Sequence, residues 1–308
     1  MKKSFALARM STGDGNSLTT MVIDGVHHDL AALDRRGALP GTGMEALLAD
    51  WDRAFVVLET LAGTAAAPLP APERLLSPIP RPGKVLCAAA NYAAHVREMG
   101  ESGFTGPKGA TAQTATVPLR PYHFLKASSC STGPMDDIAL PSLEHRIDWE
   151  VELGAVIGTP ARHVPTAQAM AHVAGYVIVN DVSCRAATWR DDRLNIRSDW
   201  LAGKSYDTFL PTGPLFVPAA FVPDYRDLML RLWVNGEAHQ DGPARDMIFS
   251  LEEQIEYLSA MLTLESGDLI ATGTPAGVGQ GKGAYLKPGD LVEAEITGLG
   301  RQRNRVRV

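Results

Sequence analysis

The stretch DWEVELGAVIG, Asp148 to Gly158, decides the reading of this chain. In a β-strand, side chains two positions apart share a face. Glu150 and Glu152 then stand side by side, with Trp149, Val151 and Leu153 on the opposite face. The text that follows is rich in strands: AGYVIVND (174–181), LMLRLWVNGEAHQ (228–240), DLIATGT (268–274), GDLVEAEI (289–296) and RNRVRV (303–308). Asn235-Gly236 is a hairpin signal between alternating segments. Two helices are clear in this half, over 166–173 and 250–264; Ser250 and Glu253 form a capping box for the second and Gly267 lies past its end. Strands outnumber helices and do not alternate with them, which argues against a doubly wound sheet and for a β-rich α+β fold.

The upstream residues read as a smaller unit. SFALARM and TTMVIDGVHHDL are short strands with Asp24-Gly25 as a hairpin turn, and MEALLADWDRAFVVLETLAG is a helix that ends at Gly63. Pro68, Pro70, Pro72, Pro78, Pro80 and Pro82 then crowd into one stretch. That density excludes regular structure and marks a linker. The boundary is placed inside it, giving a small N-terminal α+β domain with its linker over 1–75 and a larger domain over 76–308. The larger unit opens with KVLCAAANY as a buried strand, then YAAHVREMG as a short helix ending at Gly100. Residues 101–118, rich in Gly, Thr and Ala, form a long loop that is either a lid or a plain surface insertion.

Hydrophobic residues at 45% and charged residues at 21% are an ordinary globular balance. A net charge of −6 gives no reason to expect a nucleic-acid partner. The one basic cluster, Arg301, Arg303, Arg305 and Arg307, alternates with neighbours as the exposed face of a last strand does. Three cysteines, Cys87, Cys130 and Cys184, none at C-x-x-C spacing, read as small buried residues in a reducing compartment. Without a signal peptide or a long apolar run, the expectation is a soluble, cytoplasmic protein with no membrane contact.

Two adjacent carboxylates in an apolar strand repel, and either solvent or a bound cation relieves them. Asp181, at the tip of AGYVIVND, is either a third carboxylate for that cation or the cap of an Asx turn. Converged, the three make an oxygen-only site of the kind that suits Mg²⁺, Mn²⁺ or Ca²⁺. His95 and Glu98 are three apart on a helix, so they share a face. They are either an exposed pair or an imidazole oriented by a carboxylate for proton transfer. Lys204, ahead of a strand-like stretch, is a surface lysine or a stabiliser of an oxyanion. ATGTPAGVG (271–279) exposes backbone N–H groups able to cradle a carboxylate, and is no Walker loop. Arg190, Arg193 and Arg197 face a substrate or, as favoured here, pair with Asp191, Asp192 and Asp199.

NYAAHVREMG, FLKASSCSTGP, DWEVELGAVIG, GYVIVNDVSCR, AGKSYDTFLPTGP and ATGTPAGVG, in that order from Lys84 onward, resemble the fumarylacetoacetate hydrolase family. The resemblance implies a mixed-sheet β-roll, or pseudo-barrel, behind a small N-terminal domain, and a homodimer. It implies metal ligation by Glu150, Glu152 and Asp181, with Mg²⁺ the usual ion and Mn²⁺ or Ca²⁺ alternatives. It places the catalytic roles on His95, Glu98 and Lys204, and substrate binding on Arg185 and Thr274. The activity implied is hydrolysis of a carbon–carbon bond in a small β-diketo acid; oxo-acid decarboxylation, oxo-dienoate isomerisation and sugar-acid dehydration are alternatives on the same scaffold. Two departures, Cys184-Arg185-Ala186 where Ala-Arg-Asp is common and FLKASS where Lys-Pro-Pro is common, bear on the substrate more than on the metal.

Overall fold

The computed structural model describes residues 3–308 apart from 14, 65–66, 102–118, 142–145 and 194. The loop read as lid or insertion therefore lies outside the described residues, except for Glu101 at the end of a helix.

Two sheets make the body of the molecule. The first has six strands in the order 217–218, 173–180, 151–157, 269–271, 85–88 and 123–126. All its pairings are antiparallel except that of 269–271 with 85–88. The second has five, in the order 237–243, 229–234, 291–296, 300–307 and 138–139. Its hairpin turns at Asn235 and Gly236, both with positive φ (52° and 82°), as the Asn-Gly dipeptide favours. Along Val151–Ile157 the odd-numbered residues Val151, Leu153, Ala155 and Ile157 join a core with Leu230, Leu232, Val292 and Ala294 of the second sheet. The opposite face carries Val156, Val177 and Val179 into another core, shared with the N-terminal unit. Glycine is required at 154 on that face, because a Cβ there would sit 2.8 Å from a Val177 methyl.

The N-terminal unit is a four-stranded sheet, ordered 26–29, 17–23, 6–11 and 75–76, backed by the helices Met44–Ala49 and Trp51–Leu61. The sequence read these two helices as one. The break falls at Asp50 (φ −140°, ψ 60°), and it lets Leu47 and Leu48 as well as Ala54 and Leu58 reach the same core. Nor is the Pro-rich stretch wholly irregular. Leu75 and Leu76, between Pro72 and Pro78, keep their N–H groups and pair with Met10 and Arg9. The unit docks on the six-stranded sheet by reciprocal backbone hydrogen bonds between Leu7 and Phe216, both 2.8 Å, and by Trp51 set edge-on to the Phe216 ring at 5.2 Å.

Elsewhere the expected elements form with shifted ends. The capping box of Ser250 and Glu253 starts a helix at Leu251 that ends at Met261. The helix expected over 166–173 is a short α turn, Thr166–Ala169, followed by a 3₁₀ turn, Met170–His172. Arg301, Arg303, Arg305 and Arg307 occupy the exposed face of the last strand while Gln302, Asn304 and Val306 are buried. All three cysteines are buried, and none is in a disulfide.

His123, on the outer strand of the six-stranded sheet, bonds Gln254 Oε1 at 3.2 Å and stacks on Tyr257. Burial pushes its imidazole down from 6.5 to about 4. A histidine held neutral in the folded state contributes stability above its unfolded pKa and loses it as pH falls toward the folded one. Urea denaturation is therefore expected to show a loss of about 1–2 kcal/mol from this residue between pH 8 and pH 5. The His123→Gln protein should lack that component, so an unchanged slope in this variant contradicts the assignment.

Candidate active site

Glu150 and Glu152 flank the start of the strand Val151–Ile157, and Asp181 follows directly on Val173–Asn180. The sequence reading ran one strand through 148–158. The structure breaks it after Asp148, and Glu150 sits in the gap between Ile147–Asp148 and Val151–Ile157. The backbone there is held by its neighbour strand: Glu150 N–H donates to Asn180 Oδ1 at 2.9 Å, and Asp181 N–H donates to Glu150 O at 2.8 Å. Glu152 and Asp181 continue the parity of Val156 and of Val177 and Val179, so the carboxylates lie at the end of the face whose middle packs on the N-terminal unit. One oxygen from each of Glu150, Glu152 and Asp181 lies within 4.8 Å of the others, and all three residues are buried.

Burying this much negative charge demands compensation. Lys204 Nζ donates to Glu150 Oε2 at 2.7 Å and to Asp181 Oδ2 at 2.6 Å. Lys126 Nζ takes the other oxygen of Asp181 at 2.5 Å and also donates to Val182 O. Arg185 takes the other oxygen of Glu150 at 2.5 Å and bonds Asp148. Four carboxylates thus meet three cations, and Glu152 is the one with no ion pair among the described residues. Its carboxylate accepts the Gly273 N–H at 2.9 Å. Burial, then the proximity of Asp181 and Glu150, hold the Glu152 carboxyl well above the usual range. Burial acts on Glu150 in the same sense, but Lys204 and Arg185 outweigh it and hold that carboxyl well below the usual range. Crowded like charges, an all-oxygen donor set and an uncompensated carboxylate fit a hard divalent cation.

Lys204 ends a short helix, Trp200–Lys204, and the strand expected after it is the two-residue Leu210–Pro211; Asp199 starts that helix by accepting the Ala202 N–H. His95 and Glu98 lie on the helix Ala93–Glu101, with His95 Nδ1 3.6 Å from Glu98 Oε2. His95 is buried and close enough to Glu150 to help depress that carboxyl. Burial pushes the Glu98 carboxyl up, yet the nearby His95 imidazole and the bond from the Gly277 N–H leave it below the ordinary value.

The 271–279 loop does cradle carboxylates, and they are the protein's own: Glu152 at Gly273 N–H and Glu98 at Gly277 N–H, 2.9 Å. Thr274 is engaged within the protein as well. Its hydroxyl donates to Val151 O and accepts from Gln240 Nε2, both 2.8 Å. Arg185 is likewise committed to Asp148 and Glu150. Arg190 pairs with Asp192 and Asp199, the internal pairing favoured from sequence.

Sequence reasoning missed Lys126, Asp148 and Gln240. Asp148 carries a signal in retrospect, since it stands two residues before Glu150 in the same alternation. Lys126 lies in the quoted FLKASS stretch without being singled out, and Gln240 carries no local signal; their partners are 55 and 34 or more residues away.

The family described as "Fumarylacetoacetate (FAA) hydrolase C-terminal" matches residues 84–307. The mitochondrial oxaloacetate tautomerase FAHD2A of Bos taurus is 40% identical over 271 residues, 87% of this chain and 80% of that protein. The 2,4-didehydro-3-deoxy-L-rhamnonate hydrolase of Sphingomonas sp. strain SKA58 is 38% identical over 282 residues, 89% and 87% of the two chains. Among solved structures, maleylpyruvate hydrolase from Sphingobium sp. SYK-6 in complex with manganese(II) and pyruvate is 28% identical, with a TM-score of 0.74 and 98% of each chain covered. Its fold includes the small N-terminal unit as well as the two sheets. No described helix here is long and apolar enough to cross a membrane. The site lies wholly within the stretch that the family description matches, and this chain belongs to the fumarylacetoacetate hydrolase family.

Proposed function

We propose that the chain is a divalent-metal-dependent hydrolase that cleaves a carbon–carbon bond in a small β-diketo acid of the acylpyruvate, fumarylpyruvate or diketo sugar acid type. The observation that carries this reading is the buried His95, paired with Glu98 and lying within electrostatic reach of Glu150. Hydrolysis needs a base that takes a proton from water, whereas moving a proton along the substrate does not.

Glu150, Glu152 and Asp181 are the proposed ligands and Mg²⁺ the proposed ion, with Mn²⁺ or Ca²⁺ as substitutes. With Glu152 deprotonated as a ligand, the four buried carboxylates would exceed the three buried cations by one charge; a bound divalent cation would offset that excess and would supply the Lewis acidity that favours an enolate. His95, oriented by Glu98, takes a proton from water as the oxygen adds to the distal carbonyl. The bond between that carbon and the neighbouring methylene breaks. The bonding electrons pass to the methylene side as a pyruvate-type enolate, and a proton delivered to that carbon completes the 2-oxo-acid, while the acyl part leaves as a carboxylate. Lys204 is proposed to share its ammonium between the ligands and the developing oxyanion. Arg185 is proposed to serve the substrate through the Glu150 carboxylate, and Thr274 by fixing the loop that holds Glu98 and Glu152.

A second reading, oxaloacetate tautomerisation, is favoured by the 40% identity to FAHD2A. It draws on the same enolate stabilisation but consumes no water. One assay separates the two. The protein is mixed with acylpyruvates or with oxaloacetate, with and without Mg²⁺, and both loss of enol absorbance and release of a carboxylic acid are followed. Metal-dependent acid release is expected from the acylpyruvates; enol loss from oxaloacetate without any cleavage of acylpyruvates would replace the hydrolase reading by the tautomerase one.

Three variants carry the residue assignments. Glu152→Gln should abolish Mn²⁺ binding and activity together, and full activity in that protein sinks the ligand set. His95→Ala should lower kcat for hydrolysis by about 10²–10⁴-fold, the usual contribution of a positioned base. Gly277→Ala places a Cβ 1.9 Å from His239 O on a backbone with φ +109°. It should therefore displace the N–H that holds Glu98 and lower kcat without loss of Mn²⁺ binding; a parental kcat would remove Gly277 from the arrangement.

A further inference from the structure

We infer that Asp148 is a positioning residue that ties the ligand Glu150 and the His95–Glu98 helix to one another through the backbone of Gly277–Gly281. The inference rests on the metal and dyad reading given above.

Asp148 is fully buried, and its carboxylate accepts from donors of two kinds. On one side stands Arg185, whose Nε and a terminal nitrogen both lie 2.8 Å from Asp148 Oδ2 while that same terminal nitrogen donates to Glu150 Oε1. On the other side stand backbone amides: Gly279 N–H at 2.6 Å, Gln280 N–H at 3.0 Å and its own neighbour Trp149 N–H at 2.8 Å. Trp149 adds a bond of the same direction, its indole N–H donating to Gly277 O at 3.1 Å.

The segment GVGQG, Gly277 to Gly281, is then held from both sides. Glu98 grips it at Gly277 N–H, and Asp148 grips it at Gly279 and Gln280. Its glycines make the double grip possible. A Cβ at Gly279 would meet Asp148 Oδ1 at 2.8 Å and Ala284 O at 2.0 Å, and a Cβ at Gly281 would meet Glu98 Cγ at 2.5 Å. A simple helix cap would need only the amides of the four-residue turn Gly279–Lys282. Asp148 also spends an oxygen on the guanidinium that orients Glu150, and this second commitment is what a cap leaves unexplained. Groups that orient a metal ligand from behind commonly change metal affinity by about 10–100-fold when removed.

Two variants test this without recourse to turnover. Asp148→Asn removes the charge that Arg185 reads. Arg185→Lys keeps a cation but cannot span Asp148 and Glu150 at once. Isothermal titration with Mn²⁺ at fixed pH should give a Kd weakened by about 10–100-fold in both. Hydrogen exchange should speed up over Gly277–Lys282 and over the helix Ala93–Glu101 in Asp148→Asn, and over neither in Arg185→Lys. A parental Kd in Asp148→Asn, even with a lowered Tm, overturns the role toward Glu150. Parental exchange of the Ala93–Glu101 helix in Asp148→Asn overturns the coupling to the dyad. Should Asp148→Asn fail to fold, the Kd of Arg185→Lys decides the first point, and exchange in Gly279→Ala, which pushes the segment off Asp148, decides the second. Glu150→Gln is the separating control. If it keeps the parental Kd, the metal reading itself fails; if it loses Mn²⁺ binding while Asp148→Asn and Arg185→Lys keep it, only the positioning role falls.

Discussion

Negative charge packed into a dry sheet end is the constraint from which the rest of this structure follows. Glu150, Glu152 and Asp181 are each more than nine-tenths buried, where an isolated carboxylate would be expected to take up a proton. The fold answers with cations delivered from three separate parts of the chain. Lys126 comes from the edge strand, Arg185 from the turn after Asp181, and Lys204 from the end of a short helix. Glu152 is left without a cation partner among the described residues, and burial beside Asp181 and Glu150 holds its carboxyl above the usual range. A buried triad in that condition is consistent with a divalent-cation site.

The sheet explains how such a cluster is tolerated. Each element that brings a charge is anchored by neighbours that are apolar and densely packed: Val151 and Leu153 on one face, Val177 and Val179 on the other. Side-chain parity, with a period of two, therefore separates a chemical end from a structural middle along one continuous surface. The glycine loop completes the arrangement by turning its backbone amides toward protein carboxylates, which leaves Glu98 charged beside His95.

Much of this was legible in the residues. Alternation in DWEVELGAVIG and the abrupt end of AGYVIVND located all three carboxylates, and the Asn-Gly hairpin and the Ser250 capping box emerged where the local chemistry placed them. Legibility failed where the deciding partner was distant. The helix that carries Lys204 has a local cap in Asp199, but the carboxylates that occupy its ammonium, Glu150 and Asp181, lie far away in the sequence. Arg185 enters the sequence reading only through the family resemblance, and its ion pairs were not visible there because its carboxylates are 37 and 35 residues away. The helix Met44–Leu61 broke at Asp50 for a tertiary reason, since only a bend brings both halves onto one core.

The docking of the N-terminal unit has a consequence for how this architecture can be varied. Phe216 lies between Trp51 and Gly175, whose missing Cβ would meet the Phe216 ring at 2.7 Å. Val156, Val177 and Val179 share that core and stand on the same face as Glu152 and Asp181. The unit is thus the underlay of the six-stranded sheet rather than a detachable appendage. Exchanging it between relatives is a repacking problem: a grafted unit has to offer an indole-sized edge to Phe216 and a backbone that pairs with it, or the strand bearing Asp181 loses the support that aims it.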